Sequence, residues 1–507
     1  MPVNTPNHEV AELQVAWEKI ADCLSPRRVK GKGPTYLPKL KSHEKTPGLY
    51  EAYVLRAVFV PVLARAKRAF EGLVFRLPPD VKGVDPATLR DVTGSGMTLR
   101  AFARQVFGAV VAPGRVGILA DMAPESAAVG GAARAFLSTY CGAHILDARE
   151  EPVEALAERV PVDALVEELG IGEGERVATM VRLSEEVSVP RPGDPFAARC
   201  VEQVRVIALA EVDGTVGQVH RLWRERTGEN GEPIKGQWMP FGDPIVPRRR
   251  GAPVPFIPFV IANQEACGFH LEEPAMLGFA EINLSQYRTS ADLENGRFKL
   301  GHPQLCVWGA DPGTELLIGD GVWTSTNPLT KAEVLQVADA FMGLERAMTE
   351  KDEQMLAEGA RLMAKREGEA DTATAARIKS AGERSLLMAM TETSSEALSL
   401  ALAFQAWWTA GTGTLASWRE RVSCRLNTQF DEQFLSGADA EAWLRTQIGG
   451  GISKRTLRGI YRRGGMYPAE WTDDKEAAAI EMDQAAGMAD LGDGDGNDPT
   501  DPSGVTQ

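Results

Sequence analysis

The chain has 507 residues, 44% of them apolar and 25% charged, a globular composition too long for one core, so two to four domains are expected. Its net charge is −15, and −10 of that falls between Glu470 and Gln507, where eleven acidic residues face Lys475 alone. No stretch approaches 18 uncharged apolar residues, which excludes a membrane-spanning helix.

In chain order, residues 8–24 predict an amphipathic helix, followed to about Pro47 by a basic, Pro-broken arm (Arg27, Arg28, Lys30, Lys32, Lys39, Lys41, Lys45). That arm could touch phosphate or an acidic neighbour, or be a solvated face. The N-terminus lacks a basic-then-apolar signal, so export by a signal peptide is not expected. Residues 49–77 read as one helix bent at Pro61, and Thr98–Val111 as another, ended by Pro113-Gly114. Residues 115–265 read as β structure with helical patches: strands at Val116–Ala120 and Arg176–Val189, a short element at Arg134–Ile145, and a hairpin. In the hairpin, Asp213-Gly214 separates the strand-grade runs 203–210 and 216–223. The Pro-rich stretch 239–259 predicts an extended connector carrying the basic triplet Arg248–Arg250 on a surface loop.

Three long helices are then expected, at about 274–300, 330–357 and 372–408. Leu277, Ala280, Leu284, Tyr287 and Ala291 give the first an apolar stripe at steps of 3 and 4. Val334, Ala338, Phe341 and Met348 give the second its stripe, and Leu386, Ala389, Thr393, Ala397, Leu400, Phe404 and Trp407 the third. At 1.5 Å per residue each would run roughly 40–55 Å. The first two flank an insert, 301–328, with strand-grade pieces at Gln304–Trp308 and Leu316–Ile318, and a charged loop at about 359–371 precedes the third. A strand-like stretch, Val422–Phe430, and a small helical unit over 439–463 follow. The last twenty residues carry repeated Asp, Gly and Pro without aromatics, and predict disorder.

Motifs for chemistry are sparse. There is no GxxxxGK[ST], no complete GxGxxG, no HExxH and no GxSxG. The six cysteines contain no CxxC pair and read as reduced thiols rather than zinc ligands. The run Asp493-x-Asp495-x-Asn497 begins like a calcium loop, but Asp498 replaces the turn glycine and Gly504 the bidentate glutamate. Carboxylates such as Asp121 and Asp320 have no spacing that argues for a catalytic pair. No enzyme, no catalytic residue, no metal and no cofactor is expected. Residues 440–463 give helix, Gly449-Gly450-Gly451 turn and helix, with Ser453 as N-cap of a basic second helix (Lys454, Arg455, Arg458, Arg462, Arg463). A DNA-reading helix-turn-helix and a plain helical hairpin packed by Trp443, Leu444, Leu457 and Ile460 both fit that pattern.

The order of parts resembles the portal proteins of tailed phages, and more narrowly a portal-like phage family labelled as a domain of unknown function. Extended IPFV (257–260) precedes a helix with Tyr287, Ser290, Ala291, Asp292 and Asn295; then come a β insert, two further helices and LNTQF leading to GGGISKRT. GRVGILADM (114–122), RAFLSTYCGAHI (134–145) and GARLM…ADTATAARIKSAGERSLL (359–387) resemble recurrent segments of that family, and the likeness covers about residues 45–475.

The resemblance implies an α+β portal fold: an N-terminal helix and basic arm (1–44), a β-containing wing (45–273), and stem helices at 274–300 and 330–357 around a small clip (301–329). It further implies a tunnel loop (358–371), a spine helix and wing return (372–430), a helical crown (431–470) and an acidic tail (471–507). It implies a homo-oligomeric ring, dodecameric in the family, at a capsid vertex of the virion. That ring passes double-stranded DNA without sequence preference and meets terminase, a head-to-tail adaptor and the major capsid protein, but no membrane. Candidate DNA-contacting residues are Arg361, Lys365 and Arg366 in the tunnel loop, with Lys454, Arg455, Arg458 and Arg462 in the crown. The competing reading is a DNA-binding regulator acting through 440–463.

Overall fold

The computed structural model describes residues 2–122, 134–191, 194–228, 233–300, 304–308, 329, 331–335, 341–363, 385–410, 412–428, 430, 437–463 and 478–483. It is mixed helix and sheet, and it divides into two units, up to Thr428 and from Gln429 onward.

The first unit begins with α1 (His8–Cys23), where the Asn7 side chain accepts the Glu9 N–H, and α1 buries Val10, Trp17 and Ile20. The basic arm that follows is folded, through α2 (Pro26–Gly31) and α3 (Lys41–Lys45). It is held by Asp22, which is fully buried and accepts from Arg28 Nε and Tyr36 OH, both at 2.8 Å. The single bent helix expected over 49–77 is two helices, α4 (Leu49–Arg56) and α5 (Val62–Val74). Proline cannot donate into the preceding turn, and the Val60 carbonyl at the break accepts from the Val62 N–H at 2.8 Å and from Asn283 Nδ2 at 2.9 Å. After β1 (Asp80–Lys82) and α6 (Pro86–Arg90), α7 (Leu99–Val111) starts on the Thr98 hydroxyl as its composition predicts.

Two sheets make up the β part. The chain runs through β2 (Arg115–Met122), β3 (Ala135–Cys141), β4 (Ile145–Pro152), α8 (Val153–Ala157), α9 (Asp163–Leu169), β5 (Arg176–Arg191), β6 (Asp194–Val212), β7 (Thr215–Thr227) and β8 (Pro233–Pro240). A two-residue ladder, β9 (Arg248–Arg249) with β10 (Ala252–Pro253), interrupts the Pro-rich connector before β11 (Phe259–Asn263). Strands β11, β2 and β3 form one antiparallel sheet, and β4 to β8 form a second, in sequence order. The expected hairpin is present: Asp213 (φ 52°) and Gly214 (φ 77°) turn β6 into β7 through two left-handed residues, the geometry that Asp-Gly favours. Between the sheets lies an apolar core of Leu119, Tyr140, Ile145, Val181, Leu183, Ile207, Ile257, Phe259 and Ile261.

Next come α10 (Leu277–Leu300), β12 (Gln304–Trp308), β13 (Lys331–Leu335), α11 (Met342–Met363) and α12 (Leu386–Thr409), then α13 (Leu415–Arg421) and β14 (Ser423–Arg425), which pairs with β1. The second long helix therefore departs from expectation. Residues 331–335 form a strand opposite β12, with Val334 opposite Leu305, and the helix begins at Met342 and continues to Met363 through Gly359. A short apolar run satisfies a strand or a helix period equally, and here the available ladder partner decides it. The three helices have 24, 22 and 24 described residues. At 1.5 Å per residue the described parts run about 33–36 Å each. Residues 364–384, in which the third helix was expected to start, lie outside the described residues, as do Leu316–Ile318, Asp320 and the last twenty residues.

Helix α12 is not a one-striped spine. It is buried on nearly all sides, packing against α7, α13 and strands β2, β3, β11 and β14. Its polar residues are accommodated internally: the hydroxyls of Thr391, Thr393, Ser394, Ser395 and Ser399 each donate to the carbonyl four residues back. At its C-terminal end, Trp407 Nε1 donates to Glu168 and Trp408 Nε1 to the Ala120 carbonyl.

The second unit contains α14 (Gly437–Ile448) and α15 (Lys454–Arg463), the helical pair expected there, and Ser453 Oγ accepts the Thr456 N–H at 3.0 Å as N-cap of α15.

Candidate functional site

Helices α10 and α11 are antiparallel neighbours, and their contacts run in register from one end to the other. Arg297 Nη2 donates to Glu345 at 2.8 Å, Phe341 packs on Gly296, Gln286 Nε2 donates to Asp352, and Phe279 lies beside Gly359. Between the two helices in the chain, β12 and β13 pair in an antiparallel ladder, where Gln304 faces Leu335 and Trp308 faces Lys331. In chain order an antiparallel strand pair thus lies between two antiparallel helices.

The two helices have unequal surroundings. Helix α10 is the inner member: Phe279, Ala280, Leu284, Tyr287, Ala291 and Leu293 are buried. It is tied to the body by Tyr53 OH to Asp292 (2.6 Å), Arg56 to Asn295 (3.2 Å) and Lys19 to Glu281 (2.8 Å). Helix α11 is the outer member. Met355 is its one fully buried side chain among the described residues, while Met342 and Leu356 are 64% and 73% exposed. Five acidic residues (Glu345, Glu350, Asp352, Glu353, Glu358) and three basic ones (Arg346, Lys351, Arg361) lie along it. Lys351 faces inward, donating to the Ser285 carbonyl at 3.2 Å and to the Thr289 hydroxyl. Burial lowers its pKa, with Arg288 adding to the shift and Asp292 opposing it. The exposed face of α11 is left with an acidic excess.

The candidate cations fall as follows. Arg361 lies in the last turn of α11 rather than in a loop, because the helix continues past Gly359; its side chain, and Lys365 and Arg366 altogether, lie outside the described residues. Of the second-unit cations, Lys454 is exposed at the start of α15, Arg458 is half-buried beside the buried Leu457, and Arg455 and Arg462 lie on the same helix with side chains not described. On α14, Trp443, Leu444 and Ile448 are exposed, so only part of the expected hairpin core is covered.

Elsewhere the polar clusters serve the fold. Asp121, one of the carboxylates considered for catalysis, pairs with Arg205 at 3.4 Å. Arg205 also pairs with Glu185 at 2.7 Å, and Glu185 accepts from Tyr140 OH (2.7 Å) and Gln203 (2.8 Å). Arg249 is not the surface residue expected of the triplet: its side chain is 12% exposed and stacks 4.2 Å from the Trp407 ring centroid. It also donates to the Ala410 carbonyl at 3.0 Å, closing the C-terminal end of α12 where a cation is favoured. No sequence signal distinguished it from Arg248 and Arg250. Among the described residues no group of three or more His, Cys, Asp or Glu gathers to hold a metal, and no helix is long and apolar enough to cross a membrane.

Compared with known proteins, residues 275–409 match the family described as a domain of unknown function (DUF4055). The matched segment spans α10 to α12 and is about a quarter of the chain. No curated protein matches the sequence.

Proposed function

We propose that this chain is the portal subunit of a tailed phage: a ring of identical copies at a capsid vertex through which DNA is packaged and ejected. The observation that carries the reading is the order of α10, the β12–β13 ladder and α11, followed by the central helix α12; stem helix, clip and stem helix in a portal subunit would follow that order. The segment that matches a family model coincides with that arrangement.

The physical logic follows from the charges. A ring of identical subunits closes by heterologous contacts, each copy using two different faces. The half-covered α11 supplies one such face, or the wall of the bore. DNA must slide along that wall, and every phosphate–cation contact adds counterion-release affinity, so an acidic excess on α11 keeps the duplex mobile. The few cations at 361–366 then touch phosphates transiently. Terminase and the head-to-tail adaptor dock at the clip, the capsid protein surrounds the ring, and ATP hydrolysis belongs to the terminase.

The capped basic helix α15 favours a second reading, a sequence-specific DNA-binding regulator. Footprinting separates the two: a regulator protects one site and loses it on Arg455→Ala or Arg458→Ala, whereas a portal protects none. Particle images of the purified protein test the first reading; rings support it, and monomers or dimers at every salt concentration refute it.

A further inference from the structure

Cys141 ends β3, and the next three residues form a 3₁₀ turn, Gly142–His144, that brings the imidazole back over the thiol: Sγ and His144 Nδ1 are 3.5 Å apart. His144 is exposed and Cys141 half-buried, so the pair is accessible. The hydrogen bond to Cys141 raises the His144 pKa and burial opposes it; Glu186 on β5 and Glu202 on β6, directly opposite each other in the sheet, add smaller upward contributions. From α1 the neighbour is Trp17, whose indole lies against Gly142; from β2 it is the aliphatic part of Arg115, whose guanidinium is engaged with Asn263 and the His270 carbonyl. The Trp17 Nε1–H is buried without an acceptor among the described residues, leaving a donor at the edge of this turn.

The other described cysteines provide the contrast. Burial pushes the thiols of Cys23, Cys267 and Cys424 up to about 12, and Cys200 is exposed, with no imidazole contact among the described residues. At Cys141 burial also pushes upward, but the hydrogen bond and charge of His144 outweigh it, and the thiol lies below its ordinary value.

We propose that Cys141 is a thiol-exchange site, in which His144 holds the sulfur as a nucleophile toward small disulfides such as oxidised glutathione. The Cys141 thiolate attacks one sulfur of the disulfide; a Cys141–sulfur bond forms as the disulfide bond breaks. The departing thiolate takes a proton from the His144 imidazolium, so one mixed disulfide and one free thiol result. Partial exposure beside a cation is the setting in which thiols react, whereas buried apolar cysteines are inert.

The test is exposure of the full-length protein to oxidised glutathione between pH 5.5 and 8.5, with each cysteine quantified by peptide mass spectrometry. Cys141 should be modified about fivefold faster than Cys200 at pH 6.5. Its rate should also level off at a lower pH, and His144→Asn should abolish both differences while leaving Cys200 unchanged. Should that variant misfold, the thiolate absorbance of the unmodified protein minus that of Cys141→Ser gives the same profile. Equal rates at Cys141 and Cys200, or a Cys141 profile that His144→Asn does not move, would overturn the proposal.

Discussion

His220 should make the first unit sensitive to acid. Its side chain on β7 is 3% exposed between the two sheets, within hydrogen-bond distance of Gln218 Oε1 (3.2 Å), which suits the neutral ring donating from Nε2. Burial pushes its pKa down to about 4; Asp121 and Glu185 oppose that shift and Arg205 reinforces it. In the unfolded chain the ring titrates near its ordinary value of about 6.5. A depressed folded pKa leaves stability intact above about 6.5 and removes it as pH falls, because the unfolded state takes the proton first. Between pH 7 and pH 5 the loss from this one residue is about 2 kcal/mol, rising to about 3 kcal/mol at pH 4. The assay is urea unfolding by tryptophan fluorescence at pH 7, 6 and 5, for the unaltered protein and for His220→Gln, which keeps a neutral polar group at the site. The unaltered protein should lose about 2 kcal/mol more than His220→Gln over that range. If both lose the same amount, the ring is not buried in its neutral form and the reasoning fails.

Arg249→Ala removes the cation over Trp407 and the donors to the end of α12; thermal unfolding should show a loss of about 2–3 kcal/mol, whereas Arg248→Ala should change little. Gln405→Leu keeps the volume but withdraws the donor from the Ala135 and Val92 carbonyls, and should cost about 1–3 kcal/mol in the same measurement. Ser453→Ala removes the N-cap of α15; amide exchange in that helix should speed up by the equivalent of about 1 kcal/mol, with no change in α7.

What the sequence disclosed depended on how local the determining physics was. Helix α7 was legible as an unbroken run that Pro113-Gly114 ends, and the β6–β7 hairpin because Asp213-Gly214 carries its own backbone preference. The buried face of α10 was legible from Ala280, Leu284, Tyr287 and Ala291. Strand β13 was not, because KAEVL becomes a strand only by pairing with QLCVW, across an insert whose closure no local pattern reveals. Nor was the all-round burial of α12, since a TETSSE run reads as polar until its hydroxyls turn back onto the helix's own carbonyls. Arg249 and Arg248 are adjacent and chemically identical; only the position of Trp407 separates their roles. The Cys141–His144 pair stands in the sequence as CGAH, yet two residues between a thiol and an imidazole bring them together only if a tight turn follows the strand.

As a portal subunit, this chain would close with identical copies into a ring around a channel. Particle imaging combined with a native mass measurement of the purified full-length protein tests it most directly. Closed rings with a central opening are expected, with a mass of about 660 kDa for twelve copies of a 54.8 kDa chain, or a neighbouring whole-number multiple. A population of monomers and dimers without rings, at low and high salt and across the micromolar range, would contradict it.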